Sequence, residues 1–168
     1  MAIETFAVIR AYGAAVEGEA VVFLDGFSPR YDLDRVTGVI SKIGHAQEGR
    51  SLSGKILVIP SAKGGVAAGW AFSDMKAKGF APKGFVFGRT NPVMVQGAVF
   101  ADLTITEGWS PDVLRSVRSG DRLRVDPASR TIRILRKAAL EEDAVIMTVP
   151  SSGPGPRAAP PRGCSSRR

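Results

Sequence analysis

The feature that most constrains the fold is an apolar strand that passes through a proline and two glycines into a helix, in "KILVIPSAKGGVAAGWAF" at residues 55–72. The run "ILVIP" does not alternate, which is typical of a strand covered on both faces in the middle of a sheet. Apolar residues at helical spacing then predict a helix over residues 64–78, which Gly79 ends. Another apolar strand follows at residues 83–88. The segment therefore predicts a βαβ crossover with two parallel strands.

Predicted elements also precede this crossover. "TFAVIRAY" and "GEAVVFL" favour two strands, and the glycine-bearing turn between them favours a hairpin. Residues 25–54 are rich in Gly, Asp, Ser and Arg, which predicts an irregular loop with one small strand in "VTGVISKI". Loops of this length are often functional.

The remaining pattern predicts two short helices and a final hairpin. "NPVMVQGAVFA" favours a helix with Asn91 as N-cap and Pro92 at its first position. After the strand "DLTITEG", "SPDVLRSVRSG" favours a helix capped by Ser110, with Pro111 next and Gly120 as its end. The alternating "DRLRVDPASRTIRIL" predicts a terminal β-hairpin with one wet face. The expected fold class is mixed α/β.

Composition predicts one globular domain followed by a tail. The chain has 168 residues, of which 44% are hydrophobic and 23% charged, as in ordinary globular proteins. We predict a domain over residues 1–137 and a disordered Pro/Gly/Ser/Arg-rich tail over residues 138–168. Arginines in residues 151–168 account for four of the seven net positive charges and leave +3 for the first 150 residues. This distribution argues against nucleic-acid binding by the folded part, and leaves the tail as the only basic candidate.

Cysteine content and hydropathy limit the other classes. The one cysteine, Cys164, lies in the predicted tail, so the chain offers no internal disulfide and no cysteine-ligated cluster of its own. The N-terminal residues lack the pattern of a secretory signal, and no stretch approaches about 20 uncharged apolar residues. The sequence predicts a cytoplasmic protein without a membrane span, with no metal site of its own.

The strand-to-helix corner is the first candidate site. Gly64 and Gly65 would let backbone N–H groups approach a ligand, and the helix start favours an anion, to which Lys63 adds a mobile charge. The alternative is that the glycines only let the chain turn and pack tightly. The spacing matches neither a phosphate loop nor a dinucleotide-binding fingerprint.

Three further residues are candidates. Ser61, just after the strand, could accept a proton or bind substrate, although serines there often serve as turn residues. His45, the only histidine, lies in the long loop without a triad pattern around it. Arg89 ends the second parallel strand, where crevices of open α/β sheets collect ligands, and its guanidinium suits a carboxylate. The corner binds anions in this interpretation but lacks a complete catalytic set, as expected of half a site.

A resemblance extends these inferences. "DRVTGVISKIGHAQEGRSLSGKILVIPSAKGG", residues 34 to 65, resembles the small subunit, or swivelling domain, of the aconitase X hydro-lyases. It shares a Thr-Gly-x-Ile strand, a histidine-bearing loop, a Gly-x-x-Leu-x-Gly-Lys turn and a Val-x-Pro strand end. "NPVMVQGAVFADLTITEG" and "LRSVRSGDRLRVD" are also similar to that domain, so that the resemblance covers residues 4 to 135.

The resemblance implies a swivelling β/β/α fold docked on a separate large subunit that holds an iron-sulfur or iron centre. It implies a heterodimeric lyase, active only with that subunit, that dehydrates a hydroxy acid: cis-3-hydroxy-L-proline in bacterial relatives and 5-phosphomevalonate in archaeal ones. The alternative is a non-catalytic carboxylate-binding or regulatory module that retains the swivel fold.

One position departs from the family pattern. Relatives present a serine, implied to be the proton-transferring base, where this chain has Gly65. Three alternatives remain open: Ser61 takes over, the partner supplies the base, or the chain is a divergent member with another substrate or reduced chemistry. Lys63 and the helix start would lower the pKa of a nearby serine.

Overall fold

A computed structural model describes residues 4–34 and 36–139. The strands in these ranges are β1 (Thr5–Tyr12), β2 (Val16–Val22), β3 (Leu33–Asp34), β4 (Val39–Ile40), β5 (Ile56–Ser61), β6 (Gly84–Arg89), β7 (Thr104–Trp109), β8 (Arg122–Asp126) and β9 (Thr131–Arg136). The helices there are α1 (Val66–Ala77), α2 (Pro92–Phe100) and α3 (Asp112–Ser116). The predicted tail lies outside the described residues from residue 140 onward, and the domain boundary at 137 stays a prediction.

Seven strands form a closed barrel in the order β1-β7-β6-β5-β2-β8-β9, and β9 pairs back to β1. Strands β2, β5, β6 and β7 run parallel, whereas β1, β8 and β9 join through antiparallel pairs. The mixed fold with a βαβ crossover and a terminal hairpin is confirmed. The crossover is β5-α1-β6, and the hairpin is β8-β9.

β5 is central, as its unbroken apolar run predicts. It pairs with β2 on one side and β6 on the other, and Ile56 to Ile59 are fully buried. Ile56 and Val58 face the barrel interior, whereas Leu57 and Ile59 face a second core under α1 and α2. A strand between two cores needs apolar residues on both faces, which explains the absence of alternation.

The predicted β1-β2 hairpin is wrong, although both strands exist. β1 pairs with β7 and β9, and β2 pairs with β5 and β8. The terminal hairpin lies between the two, with β9 beside β1 and β8 beside β2. The glycine-bearing turn specifies a change of direction, but the partners of both strands come from distant parts of the chain.

The long loop differs from the expected single strand. β3 and β4 form a two-stranded sheet, so the loop contains a small hairpin of its own. Phe27, Leu33, Ile40 and Leu52 are buried in the core under α1. This burial fixes the loop against the helix start and places residues 27–31 beside it.

Helix ends follow the sequence signals at the end of α1 and the start of α2 and differ in α3, whose N-cap is Pro111 and not the predicted Ser110. α1 ends before Gly79, whose φ of +79° is the left-handed conformation that favours glycine. Asn91 caps α2 as predicted. α3 ends at Ser116, before the predicted Gly120, because Val117 already has extended geometry. No helix in the described ranges is long and apolar enough to cross a membrane.

α1 and α2 cross in backbone contact. A Cβ placed on Gly97 would lie 2.5 Å from the Gly69 Cα atom. Neither position can hold a side chain without separating the helices, which stand directly over β5 and β6. The two helices therefore form one tightly packed layer on the outer face of the barrel.

Candidate functional site

The corner after β5 is held by backbone hydrogen bonds on both sides. The Ala62 N–H donates to the Arg89 carbonyl of the neighbouring strand at 2.9 Å, and the Lys63 N–H donates to the Phe27 carbonyl at 2.9 Å. The Phe27 N–H in turn donates to the Ser61 carbonyl at 3.2 Å. The strand end is thus fixed between β6 and the long loop, and the chain beyond Lys63 leaves the sheet from a defined point.

The start of α1 is open. Gly64 has φ +107°, a left-handed conformation, and Gly65 occupies the N-cap position, where it offers no side chain as acceptor. Within residues 4–34 and 36–139, no acceptor faces the N–H groups of Gly64, Gly65, Val66 and Ala67. These groups and the positive end of the helix dipole all favour a bound anion.

A cavity of about 130 Å³ lies at this helix start. Its lining consists of the first residues of α1 with the two glycines and part of the long loop: Ser28, Arg30, Tyr31, Gly64, Gly65, Val66, Ala67 and Ala68. None of these side chains carries a negative charge, and the Arg30 guanidinium lies 5.6 Å from the Tyr31 ring centroid. The cavity therefore offers donors and a positive charge to a ligand.

Ser28 contributes an unused polar atom to this lining. The residue is 1% exposed, and its Oγ is one of three buried side-chain oxygens without a hydrogen-bond partner in the described part of the chain. The other two belong to Thr90 and Thr106, which do not line this cavity. A Cβ on Gly64 would lie 3.1 Å from the Ser28 Oγ. The hydroxyl thus lies directly beside the bare backbone of the corner.

Lys63 does not line the cavity. Its aliphatic stem lies across Gly26, where a Cβ would come within 2.7 Å of Lys63 Cε. The side chain is exposed and beside the corner, so its charge contributes to the local field without a contact inside the cavity. Its predicted role in binding stays a prediction.

Ser61 and Arg89 meet at the ends of neighbouring strands. They are register partners in the β5-β6 pair, Ser61 half-buried and Arg89 exposed. Neither lines the cavity at the α1 start. The structure thus brings these two predicted residues together at the ends of β5 and β6, outside the cavity at the glycine corner.

His45 does not line the cavity at the α1 start. Its Nδ1 accepts a hydrogen bond from the Gln47 N–H at 3.0 Å, and its ring centroid lies 5.2 Å from that of Phe23. Both contacts belong to the long loop and the core beneath it. The observed contacts are those of an ordinary loop histidine.

Sequence reasoning missed Ser28, Arg30 and Tyr31. The only signal was that they lie in a long polar loop of the kind that is often functional. Their placement depends on burial of Phe27 and on the Asp32 carboxylate, which accepts from the Ser28 N–H at 2.8 Å. Neither contact has a local sequence signature.

The described residues do not fit a metal centre. They contain no cysteine, and no three or more His, Asp or Glu side chains among them come together as ligands. An iron-sulfur centre needs thiolate ligands, which Cys164 alone could not supply. Any such centre would have to be held by another chain.

Titration shifts occur away from the corner. A hydrogen bond from the Arg124 side chain lowers the pKa of Glu17, on the wet face of the barrel. Hydrogen bonds from the Val36 N–H and then the Thr37 hydroxyl lower the pKa of Asp34 in the long loop. Both carboxylates are held in their charged form by local donors and neither lines the cavity.

An apolar groove adjoins the cavity. It encloses about 240 Å³ between α1 and α2, and its rim carries Val66, Trp70 and Phe100, which are 66%, 68% and 70% exposed. Val66 lines both the groove and the anion cavity. Large apolar side chains gathered on one exposed face are typical of an interaction surface.

Comparison with known proteins gives a consistent result. The family model described as "Aconitase X swivel domain" matches residues 5–134. The chain is 29% identical over 126 residues to a phosphomevalonate dehydratase small subunit of Methanothrix thermoacetophila, covering 75% of this chain and 90% of that protein. It is 30% identical over 123 residues to the protein of that name in Thermococcus kodakarensis, covering 73% and 90%. The crystal structure of Thermococcus kodakaraensis aconitase X in its holo-form superposes with a TM-score of 0.73 at 28% identity, covering 79% of this chain and 99% of that chain.

Proposed function

The chain belongs to the aconitase X swivel domain family, and from that membership we propose that it is the small subunit of a two-subunit hydro-lyase that dehydrates a hydroxy acid. The proposed substrate is an acid of the cis-3-hydroxy-L-proline kind, and 5-phosphomevalonate is the competing candidate because relatives are named for phosphomevalonate. The iron-bearing centre belongs, in this proposal, to an aconitase X-type large subunit. A cytoplasmic location stays a prediction from sequence.

The observation that carries the proposal is the open start of α1. Four N–H groups without protein acceptors, in a cavity lined by Arg30 and no acid, suit a carboxylate. Lys63 adds positive charge beside the corner. The acid would lie between this surface and the partner, so that docking excludes water and strengthens each contact.

The apolar groove supports the large subunit as a partner. Because Val66 lies in both the groove and the cavity, a protein that covers Val66, Trp70 and Phe100 also closes over the anion. We expect Trp70→Lys to prevent co-purification with the large subunit. Ile43→Lys is the matched control, since Ile43 is 90% exposed and does not line the groove. Equal loss of binding in both variants would contradict this docking face.

The proton acceptor is proposed from sequence as Ser61. Removing a positioned general base lowers kcat by about 10²–10⁴-fold. Ser61→Ala should therefore lower kcat of the complex by at least two orders of magnitude if Ser61 is the base. An unchanged kcat would indicate that the partner chain supplies the base.

The central test is reconstitution. The chain is co-expressed with an aconitase X-type large subunit, and water loss is measured for cis-3-hydroxy-L-proline and for 5-phosphomevalonate. Activity should require both chains, and the preferred acid identifies the substrate. A large subunit that works at full rate without this chain would contradict the proposal.

A second candidate is a carboxylate-binding or regulatory module. Gly65 in place of the family's serine, and the position of Ser61 outside the cavity lining, favour it. Gel filtration and calorimetry of the isolated chain distinguish the two. A module should bind a hydroxy acid unaided and more tightly than acetate, whereas half a site should hold only the acidic group, and weakly.

A further inference from the structure

We infer that the Ser28 hydroxyl and Arg30 act with the start of α1 as a subsite for the acidic group of the substrate, whose reacting carbons stay outside the cavity. The inference rests on the proposed function and adds the residues that hold the acid. Ser28 is a contact residue here, distinct from the proton acceptor.

The first argument is that the Ser28 hydroxyl has no structural task. Asp32 accepts from the Ser28 backbone N–H at 2.8 Å and pairs with Lys42 at 3.4 Å, so the carboxylate is engaged elsewhere. The Ser28 Oγ itself is buried and has no partner in the described residues. A buried hydroxyl without a partner destabilises a fold, and a small apolar residue would fill the place more favourably.

The second argument is that the cavity lining offers donors and positive charge. The Ser28 O–H, the four free N–H groups of residues 64–67 and the Arg30 guanidinium are all donors, and no acid lines the cavity. Charge-assisted hydrogen bonds of this kind select an anion over a neutral group. Carboxylate and phosphate share this chemistry, and the test below separates them.

The third argument is size. A cavity of about 130 Å³ is roughly the space of four waters, each occupying about 30 Å³ in the liquid. One carboxylate or phosphate fits, and a larger acid would extend through the open side of the cavity. In this proposal the remainder of the molecule lies at the cavity mouth, where a docked large subunit would reach it.

Gly64 permits this arrangement. A side chain there would start 3.1 Å from the Ser28 Oγ and 3.2 Å from the Ala68 Cβ, between the hydroxyl and the mouth. Its φ of +107° also disfavours any residue with a Cβ. Gly64→Ala should thus cover the hydroxyl as well as strain the turn.

The test is an NMR titration of the full chain with acetate and, separately, with inorganic phosphate. We expect saturable shifts of the amide resonances of residues 64–67 at millimolar anion. Ser28→Ala should raise the dissociation constant about tenfold, because one hydrogen bond to a charged group is lost. Ser53→Ala is the matched control and should leave it unchanged, because Ser53 is exposed and does not line the cavity. Tighter binding of phosphate than acetate would assign the subsite to a phosphorylated acid, and the reverse to a carboxylate.

Stability provides a second readout. If Ser28 serves the ligand, Ser28→Ala should unfold at the same or higher urea concentration than the wild type, because it removes an unsatisfied buried oxygen. Loss of stability without loss of anion affinity would assign Ser28 a structural role and overturn the inference. Absence of saturable shifts in the wild type would overturn it too. Neither result alters the outcome of the reconstitution assay, which tests the proposed function separately.

Discussion

The starts of α1 and α2 lie side by side and differ in how their N–H groups are satisfied. Asn91 caps α2: its Oδ1 accepts from the Met94 N–H at 2.9 Å, and Pro92 has no N–H to satisfy. α1 begins at Gly65 with no side-chain cap. The two helices pack on the same core, so the difference lies in the residues at their starts.

Asn91 also connects the two starts. Its Nδ2 donates to the Gly64 carbonyl at 3.3 Å. One residue thus closes α2 and orients the open corner of α1. In the proposed anion site, a ligand would supply the acceptors that the start of α1 lacks.

The largest expected effect comes from placing a serine at position 65, where the resemblance to the family predicts one. Gly65 has φ −121°, which other residues adopt, and no atom lies within 4 Å of a Cβ there. If Ser61 is not the proton acceptor, Gly65→Ser should raise kcat of the reconstituted complex on the order of 10²-fold, the lower range for a positioned proton acceptor. Gly65→Ala, with the same Cβ and no hydroxyl, is the control. An equal rate in both variants would mean that the base lies elsewhere.

Removing the cap of α2 tests whether Asn91 affects both helix starts. Asn91→Ala should lower the free energy of unfolding by about 1 kcal/mol through the lost cap, and weaken anion binding through the lost contact with Gly64. Asn91→Ser keeps a capping oxygen without the amide donor. It should restore most of the stability in urea titrations and leave the anion affinity low. Recovery of both properties would show that the Gly64 contact has no role.

Capping α1 from within should have a smaller effect on stability. Gly65→Asp places a carboxylate at the N-cap, which is worth a few tenths of a kcal/mol relative to glycine. The same carboxylate should compete with acetate for the Ala67 N–H, because an N-cap side chain accepts from the second or third helical position. We expect a slight rise in urea midpoint with loss of the amide shifts, and retained shifts would contradict an anion site at this helix start.

The smallest effect concerns acid pH and provides a control away from both helix starts. The pKa of Glu17 is lowered, first by its hydrogen bond from Arg124. A carboxyl with a lowered pKa contributes stability above its ordinary pKa, and loses it as the pH falls through the lowered value. In Glu17→Gln, the free energy of unfolding should therefore fall less steeply than in the wild type as the pH is lowered. The dependence of the free energy of unfolding on pH should be equal in the wild type and in Asn91→Ala. A difference would show that Glu17 is coupled to the start of α2.

Local signals predicted the elements around the corner, and distant contacts decided the rest. The β5-α1-β6 crossover and the Asn91 cap depend on neighbouring residues and could be inferred from sequence. The pairing of β1 with β9 joins residues at opposite ends of the domain, and the turn before β2 carries no information about it. Ser28 was missed because its significance depends on Gly64, 36 positions later, and on the hydroxyl being left without a partner.

The contact between Gly69 and Gly97 fixes the spacing of α1 and α2, and this affects how the site can change shape. With backbone against backbone, no rotamer change can alter the spacing of α1 and α2, and a push on one helix displaces both. A ligand at the first turn of α1 therefore keeps a constant distance from the residues along α2. The width of the binding gap would depend on the approach of the other subunit as a rigid body, and thermal motion of side chains would change it little.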